Sequence, residues 1–169
     1  MLQKSRKRYT HPCKCGFHGD SGNLCSCTPH EIQSYRSRLS GPLLDRIDLH
    51  VEVPRVAHKD LAGSTPAEPS AAIRVRVEAV HEIQHRRLAP FGLYTNSQMQ
   101  ARHIKQLCRL DAAGEKLLEM VVDRLGMSAR SYARILKVAR TIADLAGEDS
   151  IRQPHLAEAI QYRSLDRQA

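Results

Sequence analysis

The sequence has no tryptophan, two phenylalanines and five tyrosines among its 169 residues. With so little aromatic bulk, aliphatic side chains must build the core, which suits helices better than a β-sandwich. No uninterrupted apolar run exceeds three residues, which excludes a membrane-spanning helix, and no apolar stretch follows the basic start as a signal peptide requires. A soluble, cytoplasmic chain is the expectation. There is no G-x4-G-K-S/T loop and no apolar strand ending in Asp-Glu, so these residues cannot cradle a triphosphate in the P-loop manner. Disorder from low hydrophobicity is also excluded, because 41% of residues are hydrophobic.

What is present is positive charge. Twenty-six Lys and Arg against eighteen Asp and Glu give a net +8, a balance that favours polyanionic partners. Four of the basic residues, Lys4, Arg6, Lys7 and Arg8, crowd the first eight positions. Such a start reads as a solvated tail, with a nucleic-acid contact as the sharper alternative.

Residues 12–28 hold glycines, four cysteines and no apolar periodicity, and read as loop. Thr28 and Pro29 then open a short helix through EIQSYRSRL, which Ser40-Gly41-Pro42 ends. From Arg46 to Val53 the apolar residues Ile47, Leu49, Val51 and Val53 alternate with Asp48, His50 and Glu52, the pattern of a half-buried strand. The proline-rich stretch 54–70 reads as a linker. Beyond it the period is helical: a long helix with Ile73, Val77, Val80 and Gln84 to Leu88 on one face, then a shorter one over Ser97–Leu107. A third is capped by Asp111 and stopped by Gly126, with Leu117, Leu118, Val121, Val122 and Leu125 inward. A fourth is capped by Ser128, with Tyr132, Ile135, Leu136, Ala139, Ile142, Ala143 and Ala146 inward, Arg130, Arg134 and Lys137 on an exposed face, and Gly147 at its end. The last runs from about Pro154 to Tyr162. The fold class is therefore mostly α: a helical bundle preceded by a Cys-rich loop, a short helix and one strand.

Cys13, Cys15, Cys25 and Cys27 form C-x-C-x9-C-x-C. Residues i and i+2 of an extended segment point the same way, so each pair offers two sulfurs to one tetrahedral site, and structural Zn²⁺ is the leading reading. Free thiols in a compact turn and disulfides are the alternatives, the latter disfavoured in a reducing cytosol. His11, His18 and His30 are spare candidate ligands. Cys108 sits at an apolar helix end and reads as core. Among the arginines, Arg46 stands between Asp45 and Asp48, and Arg130 stands in the first turn of the clearest helix, where orphan amides favour an anion. Either guanidinium is suited to a transferring phosphoryl group, but read from the residues alone each is more often an ordinary surface salt-bridge partner.

The stretch from Pro12 through Val53, with its paired C-x-C and LSGPLLDRIDLHVEV, resembles the C-terminal part of the magnesium-chelatase-like AAA+ ATPases of the competence ComM (YifB) type. So do SAAIRVRVEAVHEIQHRR, MSARSYARILKVARTIADLAGEDSI and HLAEAIQYRSLDR. The resemblance implies that Arg46 is the arginine finger, reaching the nucleotide of the neighbouring subunit, and that Arg130 is the sensor-2 residue meeting the γ-phosphate. It implies that residues 1–53 are the end of an AAA+ core carrying a cysteine insertion, that 54–70 link it onward, and that 71–169 are a helical, lid-like subdomain. It further implies a hexameric, ATP-driven motor of P-loop-bearing subunits that branch-migrates DNA, with ATP and Mg²⁺ held by the core. Walker A and Walker B are not among these residues, and His11 stands where the family has its sensor-1 Asn. The chain is therefore expected to be a C-terminal fragment of such a motor that does not hydrolyse ATP alone. Two other readings stay open: a small zinc-stabilised DNA-binding module using Arg36, Arg38, Arg86 and Arg87, and a fragment of a magnesium-chelatase-type subunit.

Overall fold

In the computed structural model, residues 13–19, 22, 24–38, 46–51, 53, 56 and 67–163 are described. Six α-helices occur among them: α1 (Pro29–Arg36), α2 (Ser70–Leu88), α3 (Ala101–Leu107), α4 (Ala112–Leu125), α5 (Ala129–Leu145) and α6 (Gln153–Gln161). None is long and apolar enough to cross a membrane.

Local chemistry explains where most of these helices begin. Thr28 and Glu31 form a reciprocal box at α1: the Thr28 N–H donates to the Glu31 carboxylate at 2.9 Å, and the Glu31 N–H donates to Thr28 Oγ1 at 3.3 Å. The Thr28 backbone hydrogen bond holds the Glu31 carboxyl below its ordinary range. Pro29 fills the first turn, where no N–H is needed. Asp111 accepts the Gly114 N–H at 2.7 Å to start α4, and Ser128 accepts the Ser131 N–H at 3.2 Å to start α5. Gly126 closes α4 at φ +57° and Gly147 follows α5 at φ +71°, left-handed geometry that a side chain would strain.

The core lies among α2 to α6. Ile135, Leu136, Ala139 and Ala143 of α5 pack with Leu156, Ala159 and Ile160 of α6, with Leu118 of α4 and with Leu88, Met99 and Ile104. The α5–α6 pairing is the most extensive, and α5 also meets α2 and α3. Leu117, Val121 and Val122 flank this core as expected, whereas Tyr132 is 43% exposed. Cys108 is buried in it, and burial pushes its thiol up to about 11.

Several expectations need correction. The single helix expected over Ser97–Leu107 is a 3₁₀ turn, Asn96–Gln98, followed by α3, because the chain breaks to turn Met99 into the core. On α2 only Val80, Gln84 and Leu88 are buried; Ile73 and Val77 are 41% and 42% exposed. The helix begins three turns before the bundle it packs on. No strand forms among the described residues of 46–53, since no neighbouring strand meets their amides and carbonyls. Burial does not follow the alternation either: Ile47, Leu49, Val51 and Val53 are exposed, as is Asp48, while His50 is buried. Most of the expected linker, His11 and residues 1–10 lie outside the described residues.

Two charged residues sit inside the apolar stripe of α5. Arg140 and Asp144 are each 2% exposed. Arg87 grips Asp144 through two hydrogen bonds of 2.7 and 2.5 Å, Arg140 Nε reaches it at 3.1 Å and Asn96 Nδ2 at 2.8 Å. Arg140 also donates to the carbonyls of Glu148 and Asp149. Removing Asp144 would leave two guanidinium groups facing each other without their shared anion. Asp144→Ala is therefore expected to cost about 3–5 kcal/mol, read as a lower urea midpoint at unchanged slope. A loss under about 1 kcal/mol would show that the network is no more than a surface pair.

Candidate functional site: a cysteine cluster and two arginines

The loop before α1 folds the cysteines together. The Gly16 N–H donates to the Cys13 carbonyl at 3.1 Å, turning the chain after the first C-x-C pair. Cys13 is fully buried, and Cys15, Cys25 and Cys27 are half-buried. The four sulfurs all lie within 4.8 Å of one another. Cys13–Cys15, Cys15–Cys25 and Cys13–Cys25 are 3.3, 3.6 and 3.8 Å apart. Tetrahedral zinc with Zn–S near 2.3 Å needs sulfurs roughly 3.7 Å apart, so the cluster has the size of such a site. All five cysteines are free thiols. His18 and His30 do not join the group, whose ligands are sulfur alone.

The thiols do not ionise alike. A backbone hydrogen bond at Phe17, helped by the neighbouring thiols and Ser26, brings Cys15 down to about 6. At Cys27 the Cys15 backbone hydrogen bond acts in the same sense, but the Cys15 thiol, burial and charge on Cys13 outweigh it and push the group up to about 12. Cys13 is also lowered and Cys25, like Cys27, is raised: negative charge gathers on the first C-x-C pair and is resisted on the second, as expected for like charges sharing a small volume. A divalent cation among the sulfurs removes that resistance, and an all-thiolate set suits a soft metal. The four cysteines can hold a metal ion.

The two arginines have a different character. Arg46 is exposed in a turn, and Arg130 is exposed at the second position of α5. Neither has an ion-pair partner among the described residues. The other two arginines of α5 are occupied: Arg134 binds Asp48, and Arg140 binds Asp144. Arg134 and Lys137 thus do not form a merely solvated face, since Lys137 also donates to the Ser97 carbonyl at 2.8 Å. Of the four arginines suggested for DNA, Arg87 is held by Asp144 and Asn96, while Arg38 lies over the Tyr35 ring at 5.7 Å. Arg36 ends α1, Arg38 lies just beyond it, and Arg86 and Arg87 lie on α2.

The residues that sequence reasoning passed over are Arg163 and Ser131. Arg163 is 1% exposed and donates to Ser131 Oγ at 3.1 Å and to the Ile47 carbonyl. The His50 N–H donates to the Tyr162 carbonyl at 2.7 Å. Nothing local in the sequence marks Arg163, which follows the last helix among other polar residues.

Residues 67–163 match the family described as magnesium chelatase, subunit ChlI C-terminal, and residues 8–61 match magnesium chelatase, subunit ChlI. The chain is 43% identical over 158 residues to competence protein ComM of Haemophilus influenzae, covering 93% of this chain and 30% of that protein. It is 42% identical over 147 residues to the uncharacterized protein YifB of Salmonella typhimurium, covering 86% and 28%. With Rv2897c of Mycobacterium tuberculosis the identity is 33% over 156 residues, covering 90% and 30%. The chain thus spans less than a third of the length of these relatives. Two family matches in chain order, and an identity that runs through both the cysteine loop and the helical bundle, place the chain in the magnesium chelatase ChlI-like family, ComM/YifB type.

Proposed function

We propose that this chain supplies two charge-stabilising arginines to an AAA+ ATPase of the ComM/YifB type, a ring motor that branch-migrates DNA. Arg46 serves as the arginine finger on the nucleotide of a neighbouring subunit, and Arg130 serves as sensor 2 of the lid formed by α2 to α6. The supporting observation is the division of labour within α5: Arg134 and Arg140 end on carboxylates, while Arg130 at the helix N-terminus has none. A guanidinium left exposed beside orphan helix amides is available to phosphate oxygens. ATP and Mg²⁺ are held by subunits bearing the P-loop, whose motif these residues lack. When bound at the four cysteines, Zn²⁺ gives the loop before α1 a structural centre, with no position left open for chemistry.

The test is reconstitution. The chain is mixed with P-loop-bearing subunits of a ComM-type protein lacking this region, and ATP turnover is measured with and without branched DNA. Turnover is expected in the mixture and absent from either component. Turnover by the chain alone, or no gain on mixing, would overturn the reading.

A further inference from the structure

We propose that Arg134 and Arg163 are positioning residues that fasten the Arg46 turn to the helix bearing Arg130, so that movement of one guanidinium is passed to the other. This rests on the reading of Arg46 and Arg130 given above. Three polar links hold residues 46–51 against the bundle. Arg134 of α5 binds the Asp48 carboxylate, Arg163 beyond α6 donates to the Ile47 carbonyl, and the His50 N–H donates to the Tyr162 carbonyl at 2.7 Å.

The arrangement of Arg163 is the informative part. Its guanidinium bridges the carbonyl of the residue after Arg46 and, at 3.1 Å, the hydroxyl of Ser131, the residue after Arg130. One rigid, buried fork thus joins the two positions through a single side chain. Apolar packing does not explain the placement, because Ile47 and Leu49 are 39% and 48% exposed. The segment lies where it does because charged and polar groups hold it there. A rotation of α5 when Arg130 meets a γ-phosphate would carry Ser131, Arg134 and Arg163 with it. Arg46, aimed at the next subunit's nucleotide, would then move with the lid of its own subunit.

Asp48 and Arg134 allow a clean test, since their side chains are 62% and 21% exposed and can be exchanged without opening the core. Asp48→Arg and Arg134→Asp are made singly and together in the full chain. Amide hydrogen exchange is followed at His50 and through α5. Each single variant is expected to exchange at least tenfold faster at His50 with α5 unchanged. The double variant, in which the ion pair re-forms with its charges exchanged, is expected to return to within twofold of the wild type. In the reconstituted ring, turnover should fall in both single variants and recover in the double. Exchange unaltered in the single variants, no recovery in the double, or full turnover despite a freed segment would each overturn the proposal. A wild-type chain that gives no gain in turnover would instead sink the reading of Arg46 as finger. The exchange cycle would then still decide whether the fastening exists.

Discussion

Treatment of the zinc-loaded chain with a strong chelator is expected to release residues 13–38 while the bundle of α2 to α6 stays folded. The reason lies in what each part has to hold it. The bundle has a contiguous apolar core from Leu88 to Ile160 and the buried network around Asp144. The helix α1, by contrast, has no buried residue, and its order comes from the Thr28–Glu31 box and Pro29. An eight-residue helix with no packed face is far below the length at which helices persist in water. Among the described residues, the cysteine loop before it buries one cysteine and little else, so metal binding and folding of this segment should be one event. Elemental analysis should give zinc near one per chain. Exchange protection over α1 should vanish with the metal, and helical signal from α2 to α6 should remain. Cys13→Ser, which removes the fully buried ligand, should have the same effect as chelation. Zero metal in chain purified without chelator, with four titratable thiols in the cluster, would remove the zinc site.

The second large effect concerns rate rather than order. In the reconstituted ring, Arg46→Ala is expected to lower ATP turnover by roughly 10³-fold, the scale of a well-placed arginine finger. Stability should be unchanged, because the side chain is exposed and has no ion-pair partner among the described residues. The deficit should appear only when the altered chain faces a nucleotide-loaded neighbour, since the finger acts across the interface. Arg130→Ala should also spare folding and should be felt by the nucleotide of its own subunit, as weaker ATP binding. A loss of turnover below about tenfold for Arg46→Ala, or a matching loss of stability, would show that Arg46 is not a finger.

The cysteine cluster was the more legible part of the candidate site. Two C-x-C pairs already state that sulfurs will point the same way twice, and a glycine-bearing loop between them lets the pairs meet. The arginines were legible as exposed candidates but not as a set. Arg130 shares a helix with Arg134 and Arg140, and a helical wheel treats all three as charge on or near one side. In the folded chain they have three fates: free of carboxylates, bound to Asp48, and buried on Asp144. The positions of Arg140 and Asp144, each next to a buried alanine of the apolar stripe, were a usable sign that these charges turn inward. The apolar alternation of 46–53 misled for the opposite reason. A strand's pattern specifies a face for burial but cannot supply the neighbouring strand that would cover it.

Elements whose causes lie within one helical turn were readable from the chain: the Thr28, Asp111 and Ser128 caps, the stop at Gly126 and the stripe of α5. Capping and periodicity join residues three or four positions apart, so their partners are visible in any short window. Arg140 has its carboxylate four positions along the same helix, but for the other bound arginines folding decided which charges are held, because the partners are remote. Arg87 and Asp144 are 57 positions apart, Arg134 and Asp48 are 86, and Arg163 and Ile47 are 116. These three guanidinium groups find their acceptors by where the packed helices bring them, and no local pattern encodes that choice.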